Sequence, residues 1–205
     1  MKSTRAILPV SIAALLSLVG LLVSTSHVSA DETEVVPAER MKAWKPTKSI
    51  TAPPVEEKIR KGLGVETGPE AASALGTANP TPAMIEVKVD ANSAFAFQNI
   101  QFGLNRAELV GETTYRQLAE IAKAMAAAGG ERFLVEGHTC DLGEEAANFD
   151  LSRRRALSVR DVLVGLGVSP ERIVVLGCGE SNRLVKDTTE SARAQNRRVE
   201  IYRKL

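Results

Sequence analysis

Residues 133–156 read FLVEGHTCDLGEEAANFDLSRRRA, and this stretch decides the fold class. Its mainly apolar beginning, Phe133–Glu136, predicts a β-strand. From Glu145 to Leu166 a stripe of small and apolar side chains recurs at helical spacing and predicts an α-helix that ends at Gly167. The polar loop between them leaves the carboxyl end of the strand, which is where sheets with parallel strands usually hold ligands.

The same alternation continues on both sides of this stretch. Ala94–Phe102 predicts a first strand and Thr113–Ala127 a first helix, while Arg172–Leu176 and Arg198–Tyr202 predict two later strands. The order β-α-β-α-β-β favours right-handed crossovers, which place both helices on one face of the sheet. We therefore predict an α/β (α+β) two-layer sandwich with a mixed sheet. Its helix-free face must be half polar, or covered by the linker or another protein.

The N-terminus has the pattern of a secretory signal. Lys2 and Arg5 precede the almost wholly apolar run Ala6–Val23, and small residues lead up to Ala30. We predict a signal peptide over residues 1–30, cleaved after Ala30, and therefore an exported protein. An uncleaved N-terminal anchor is the alternative.

Residues 31–92 carry seven of the nine prolines, which predicts a flexible Pro-rich arm ahead of a folded domain over residues 93–205. Within the arm, Val55–Leu63 predicts two helical turns. The single tryptophan, Trp44, is interpreted as a solvated linker residue, with a partner contact as the alternative.

Composition excludes several classes of protein. The 205 residues include 26 Lys+Arg and 25 Asp+Glu, so the net charge of +1 provides no general field for nucleic acid. The aromatic fraction of 4% argues against a surface on which bases stack. A hydrophobic fraction of 44% is typical of a globular domain rather than of a disordered or multi-span membrane chain.

Three polar clusters are candidates for a binding site, and they lie at 136–143, 148–156 and 193–198. A zwitterionic ligand suits them, because Asp141 can accept from an ammonium group while Arg155 or Arg197 forks onto a carboxylate. Intramolecular salt bridges or a solvated charged face are the alternative interpretation.

Catalysis and metal binding are not expected. His138 and Cys140 lie two residues apart in an extended segment, so with Asp141 they provide no geometry for a catalytic triad. A zinc site built from His138, Cys140 and Cys178 lacks a fourth ligand. We expect a protein that is not an enzyme and has no cofactor.

From about Ala94 to Tyr202, the sequence resembles the OmpA C-terminal-like domain, which also occurs in the peptidoglycan-associated lipoprotein and in MotB. The matching positions are Ile100–Phe102, Asn105, Leu109, Glu136–Thr139, Asn148, Leu151–Ser152, Arg155–Ala156, Val159, Gly177–Glu180 and Arg193–Glu200. The resemblance implies noncovalent binding to peptidoglycan through the diaminopimelate of the stem peptide. It assigns the amine to Asp141 and the carboxylate to Arg155, with Asn148 and Arg197 lining the pocket.

One position departs from the family pattern. Cys140 stands where the family usually has Asp, and Asp141 follows it. Since the family fold places the preceding strands side by side, and export favours oxidation, we expect a disulfide between Cys140 and Cys178.

The resemblance implies a non-enzymatic, periplasmic peptidoglycan-binding protein that connects the envelope, or a partner protein held by the arm, to the wall. It also implies a location in the periplasm with an indirect association with the outer membrane, and nucleic acid is not a partner. The alternative is a periplasmic interaction scaffold of the same fold that has lost wall binding.

Overall fold

The computed structural model describes residues 34–44, 56–65 and 83–205. The predicted signal peptide, 1–30, lies outside them. Within these ranges, every helix is too short or too polar to cross a lipid bilayer.

The strands and helices alternate along the chain as the sequence predicts, with additions. In order, they are β1 (Glu57–Val65), β2 (Ala83–Phe97), β3 (Gln101–Phe102), β4 (Leu109–Val110), α1 (Glu112–Ala127), β5 (Phe133–Gly137), α2 (Glu145–Gly165), β6 (Ile173–Gly177), α3 (Glu190–Asn196) and β7 (Val199–Lys204). Short 3-10 helices cover Ala38–Trp44 and Pro170–Arg172. The helices predicted at 113–127 and 145–166 and the three later strands are confirmed to within two residues at each boundary.

Five strands form one mixed sheet in the order β1-β2-β7-β5-β6, and β1 also pairs with β6, so the sheet closes on itself. Strands β5 and β6 are parallel, whereas β7 runs antiparallel to both β2 and β5. Strands β3 and β4 form a separate small hairpin.

Successive residues of the central strands point to opposite sides and build two cores. Phe133 and Val135 belong to the larger core with helices α1 and α2. Leu134 and Val174 belong to a smaller core on the other side, with residues of β2. Both helices therefore pack on one face, as predicted for a two-layer sandwich.

Two glycines let helix α2 approach the ends of β5 and β6. A Cβ atom on Gly137 would overlap the carbonyl oxygen of Ser152, and one on Gly177 would lie 2.7 Å from the carbonyl oxygen of Phe149. Such contacts are shorter than van der Waals packing allows, so only glycine fits at either position.

The helical turns predicted at Val55–Leu63 are wrong, because these residues belong mainly to strand β1. The strand pairs with β2 from Glu57 to Gly64 and with β6 over its last three residues. Gly62 makes the second pairing sterically feasible, since a Cβ there would lie 2.5 Å from the carbonyl oxygen of Gly177. The helix-free face, which carries the smaller core and buried charged side chains, is thus covered by a segment of the predicted linker, and this is one of the alternatives expected for it.

The interpretation of Trp44 as a solvated residue is also wrong. Its side chain is fully buried, and its indole Nε1 donates to the carbonyl oxygen of Ser93 at 2.9 Å. The ring packs edge-on against Phe95 and lies 5.0 Å from the ring of Phe133. Burial of a large aromatic surface fixes this part of the predicted arm to the domain.

The polar side chain of Gln117 also holds the segment before Trp44. Its Oε1 accepts from the backbone N–H of Val36 at 2.6 Å, and its Nε2 donates to the carbonyl oxygen of the same residue.

Strand β2 starts at Ala83 rather than at Ala94, so the predicted domain boundary at residue 92 falls inside a strand. The described parts of the predicted arm therefore pack with the domain.

Replacing Gly137 by alanine should destabilise the fold by at least about 2 kcal/mol, because the added methyl group forces α2 away from the sheet. Urea denaturation followed by circular dichroism measures the change. Gly130→Ala is the matched control, since nothing lies within 4 Å of a Cβ at that position. Equal stability of the two variants would contradict the close packing.

Trp44→Ala should lower the free energy of unfolding by about 3–5 kcal/mol, the usual cost of removing a fully buried large aromatic side chain. Trp44→Phe keeps a ring but loses the hydrogen bond to Ser93 and should cost less. Thermal denaturation of both variants tests this, and a Trp44→Ala protein as stable as the wild type would show that residues 34–44 do not dock.

Candidate functional site

A cavity of about 270 Å³ opens between the start of the small hairpin, helix α2 and the end of helix α3. It is lined by Gln98, Ile100, Gln101, Phe102, Arg155, Ala194 and Arg197. Two of the predicted site residues, Arg155 and Arg197, are therefore brought to the same cavity by elements distant in sequence.

Arg155 is a buried cation with few partners. Its side chain comes from the buried stripe of α2, and the residue is 7% exposed. The Nε atom donates to the carbonyl oxygen of Arg106 at 3.1 Å, and the guanidinium lies 5.0 Å from the centre of the Phe102 ring. Within the described residues, Arg155 forms no ion pair with a carboxylate. Burial, together with the like charge of Arg197, lowers the pKa of this guanidinium.

Arg197 is the more exposed of the two cations. Its Nη2 donates to Glu190 at 2.7 Å, and its Nη1 lies 4.0 Å from the sulfur of Cys140. Glu190 is itself largely exposed, so the pair is loosely held. Two guanidiniums at one small cavity favour an anionic ligand that both can reach.

Asn148 organises the loop beside the cavity. From the first turns of α2, its buried side-chain amide donates to the carbonyl oxygen of Leu142 at 3.0 Å and to Glu180 at 3.2 Å. A third, longer contact reaches the carbonyl oxygen of Cys140. Asn148 therefore positions this loop rather than lining the cavity, which differs from the role that the resemblance implied.

Asp141 is paired with an arginine of helix α3. Arg193 donates from Nε to Oδ1 at 2.8 Å and from Nη2 to Oδ2 at 3.4 Å, so both carboxylate oxygens are engaged. The hydrogen bonds from Arg193 lower the pKa of Asp141. Asp141 is not among the residues that line the cavity. Its predicted role as an ammonium acceptor stays a prediction, and this pairing argues against it.

The expected disulfide is not formed. Cys140 and Cys178 are both free thiols. The two sulfurs have different surroundings, although the preceding strands are paired and parallel. Cys178 belongs to the smaller core and lies 3.8 Å from the carbonyl oxygen of Lys61, whereas Cys140 lies beside Arg197. Burial raises the pKa of the Cys178 thiol, which keeps it neutral.

A second cluster of charges lies beneath strand β1. Arg60 donates from Nε to Glu136 at 2.7 Å and lies 3.5 Å from Glu200. Glu200 in turn accepts from Arg198 and from the hydroxyl of Tyr202. All five residues are buried, and the two guanidiniums balance the two carboxylates. Burial alone would raise the pKa of Glu136, but the hydrogen bonds and charge of Arg60 outweigh it and lower that pKa.

His138 is enclosed in the same cluster without a hydrogen bond to either ring nitrogen, although Nε2 lies 3.4 Å from Glu136. Ligand atoms of Glu136, His138 and Cys178 come within 4.8 Å of one another. Arg60 and Arg198 already neutralise the nearby carboxylates, so no excess negative charge remains to attract a metal ion. The cluster is a balanced, buried ion-pair network.

Other residues of the site were not anticipated. Gln101 and Phe102 were recognised only as part of the predicted strand and of the family motif, and Gln98 only as part of the predicted strand. Arg193 was recognised only as part of a motif. A short helix at 190–196 was not predicted either; it begins at Thr189, whose side chain accepts from the N–H of Ala192. The sequence Thr189-Glu-Ser-Ala192 carries that capping signal.

Together, the fold and the cavity define an α/β domain with a cationic pocket at the end of its sheet. Residues 101–197 match the profile of the OmpA family, and these residues form a domain of that family, as the resemblance predicted.

Outer membrane porin F of Pseudomonas fluorescens is 39% identical over 102 residues, which is 50% of this chain and 31% of that protein. Peptidoglycan-binding protein ArfA of Mycobacterium bovis is 37% identical over 102 residues, which is again 50% of this chain and 31% of that protein. The chain thus spans less than a third of the length of these relatives. The periplasmic domain of Helicobacter pylori MotB, at 22% identity, superposes with a TM-score of 0.49 over 54% of this chain and 74% of that one.

Arg60→Met should destabilise the domain by about 3–5 kcal/mol, because Glu136 is left buried without its main partner. Lys61→Met, at the neighbouring and exposed position of β1, is the control and should change stability little. Urea denaturation measures both. Similar curves for the two variants would show that β1 does not cover the charged face.

Stability should fall as the pH decreases below about 6.5. Burial, and then the charge of Arg198, lower the pKa of His138 in the folded state, so the unfolded state takes up a proton first and is favoured by up to about 1.4 kcal/mol per pH unit. Urea denaturation of the wild type and of His138→Gln at pH 7 and 5.5 tests this. The variant should lack this loss, and an equal loss in both proteins would refute the assignment.

Proposed function

We propose that this protein binds peptidoglycan noncovalently and without catalysis, through the diaminopimelate carboxylate of the stem peptide. The observation that carries the proposal is the buried guanidinium of Arg155, which faces a cavity with Arg197 and has no ion-pair partner within the described residues. A buried cation without a counter-ion is costly, so an incoming carboxylate gains a strong, charge-assisted interaction there.

The surroundings of Arg155 support a planar anionic group. Phe102 on one side and the carbonyl oxygen of Arg106 on another fix the orientation of the guanidinium. A fixed guanidinium holds a carboxylate through two parallel hydrogen bonds, a geometry that a lysine does not provide. Arg197 is close enough to the same cavity to contact the second side of the ligand.

The comparisons support peptidoglycan as the ligand and a location in the cell envelope. One relative is named as a peptidoglycan-binding protein and another as an outer membrane porin. We propose that the predicted signal peptide directs export to the periplasm, and that the chain before Glu34 connects the wall-bound domain to an envelope partner. Repeated stem peptides would strengthen a weak single pocket through avidity.

Calorimetric titration with a diaminopimelate-containing stem peptide tests the proposal, with the lysine-containing peptide as the comparison ligand. The lysine peptide lacks the terminal carboxylate, so it should bind at least tenfold more weakly. Sedimentation with purified sacculi extends the test to intact wall. Absence of binding to both peptides and to sacculi would favour the scaffold alternative.

Arg155→Ala should weaken binding of the diaminopimelate peptide by about 2–5 kcal/mol, which is more than about thirtyfold in affinity. Arg154→Ala is the matched control, because the neighbouring side chain is exposed and pairs with Asp150. Arg197→Ala, at a half-exposed position, tests the pocket without disturbing the core. Wild-type affinity in both pocket variants would place the ligand elsewhere.

A further inference from the structure

The cavity provides cations for an anionic group but has no carboxylate among the residues that line it. Its polar side chains are Arg155, Arg197, Gln98 and Gln101. The carboxylate that pairs with Arg197 is that of Glu190, which is exposed and does not line the cavity. An ammonium group entering the cavity therefore meets two positive charges and neutral amides.

Asp141 is the acidic residue next to the cavity that the sequence offers for an ammonium, and it is already engaged. Arg193 contacts both of its carboxylate oxygens in a fork arrangement, and both side chains are partly buried. Releasing Asp141 to a ligand requires breaking two charge-assisted hydrogen bonds and leaving Arg193 without its partner.

The residue that projects toward the cations is Cys140. Its sulfur lies 4.0 Å from Nη1 of Arg197, and the residue is buried against the site. A cysteine sulfur is only a weak hydrogen-bond acceptor, so it does not replace a carboxylate as a partner for an ammonium.

We infer that the cavity recognises the carboxylate of its ligand and leaves an adjoining ammonium group unrecognised. The inference rests on the proposed function and deepens it: the ligand class is a stem-peptide side chain ending in a carboxylate, with either a free or a neutral, acylated amine beside it. The chemistry of residue 140 decides this preference, since a carboxylate at that position would face both the cations and the ligand amine.

Calorimetric titration with three forms of the same diaminopimelate peptide tests the inference. The forms are the unmodified peptide, one with the side-chain amine acetylated and one with the side-chain carboxylate amidated. Acetylation should change the dissociation constant of the wild-type protein by threefold or less, whereas amidation should weaken binding at least tenfold. Failure of all three peptides to bind would refute the proposed function itself, which is a distinct result.

A loss of more than threefold on acetylation would overturn the inference, because it would show that Asp141 exchanges Arg193 for the ligand amine. The variant Cys140→Asp gives an independent readout. It should bind the unmodified peptide at least fivefold more tightly than the acetylated one, provided that circular dichroism shows a folded domain. Equal binding of the two peptides by the folded variant would also overturn the inference, since residue 140 would then not control recognition of the amine.

Discussion

The close contact between helix α2 and the ends of strands β5 and β6 is the constraint on which the site depends. Gly137 and Gly177 remove the side chains that would separate helix from sheet, so Ser152 and Phe149 pack directly on the strand ends. This contact fixes the rotation of α2 about its own axis and its distance from the sheet. Asn148 consequently reaches the loop after β5, and Arg155, two turns later, reaches the cavity. A helix held farther from the sheet would bring neither of these side chains to its position.

The opposite face of the sheet holds buried charges that need partners. Buried carboxylates on β5 and β7 need cations, and Arg60 of β1 supplies one from a segment that precedes the family-like part of the chain. The closed sheet therefore combines backbone pairing with charge neutralisation. Both are needed. Without strand β1 over it, Glu136 would be hydrated by water, and without Arg60 its buried charge would be costly.

Much of the fold was accessible from sequence because its signals are local. Helical stripes and the glycines that end them located α1 and α2 to within a residue or two, and the apolar runs located β5 and β6. Val55–Leu63 was assigned to two helical turns because Ile59 and Leu63 are four residues apart. Pairing with the edges of β2 and β6 makes residues 57–65 a strand instead. The burial of Trp44 also depends on residues far away in sequence, namely Ser93, Phe95 and Phe133, so its local sequence did not predict it. Likewise, the pairing of Asp141 with Arg193 depends on how two loops fold together, which spacing alone does not specify.

The docking of residues 34–44 has a mechanical consequence. A pull on the chain ahead of Glu34 is resisted first by the hydrogen bonds of Gln117 and by the enclosed ring of Trp44, so the load passes to α1 and β2. Strand β1 and the charged cluster beneath it lie beyond this attachment and are shielded from the first strain. The domain can therefore bear tension at its N-terminal attachment. Part of that tension reaches the wall of the cavity, because Asn99, which donates to the carbonyl oxygen of Glu34 at 2.8 Å, lies between the lining residues Gln98 and Ile100.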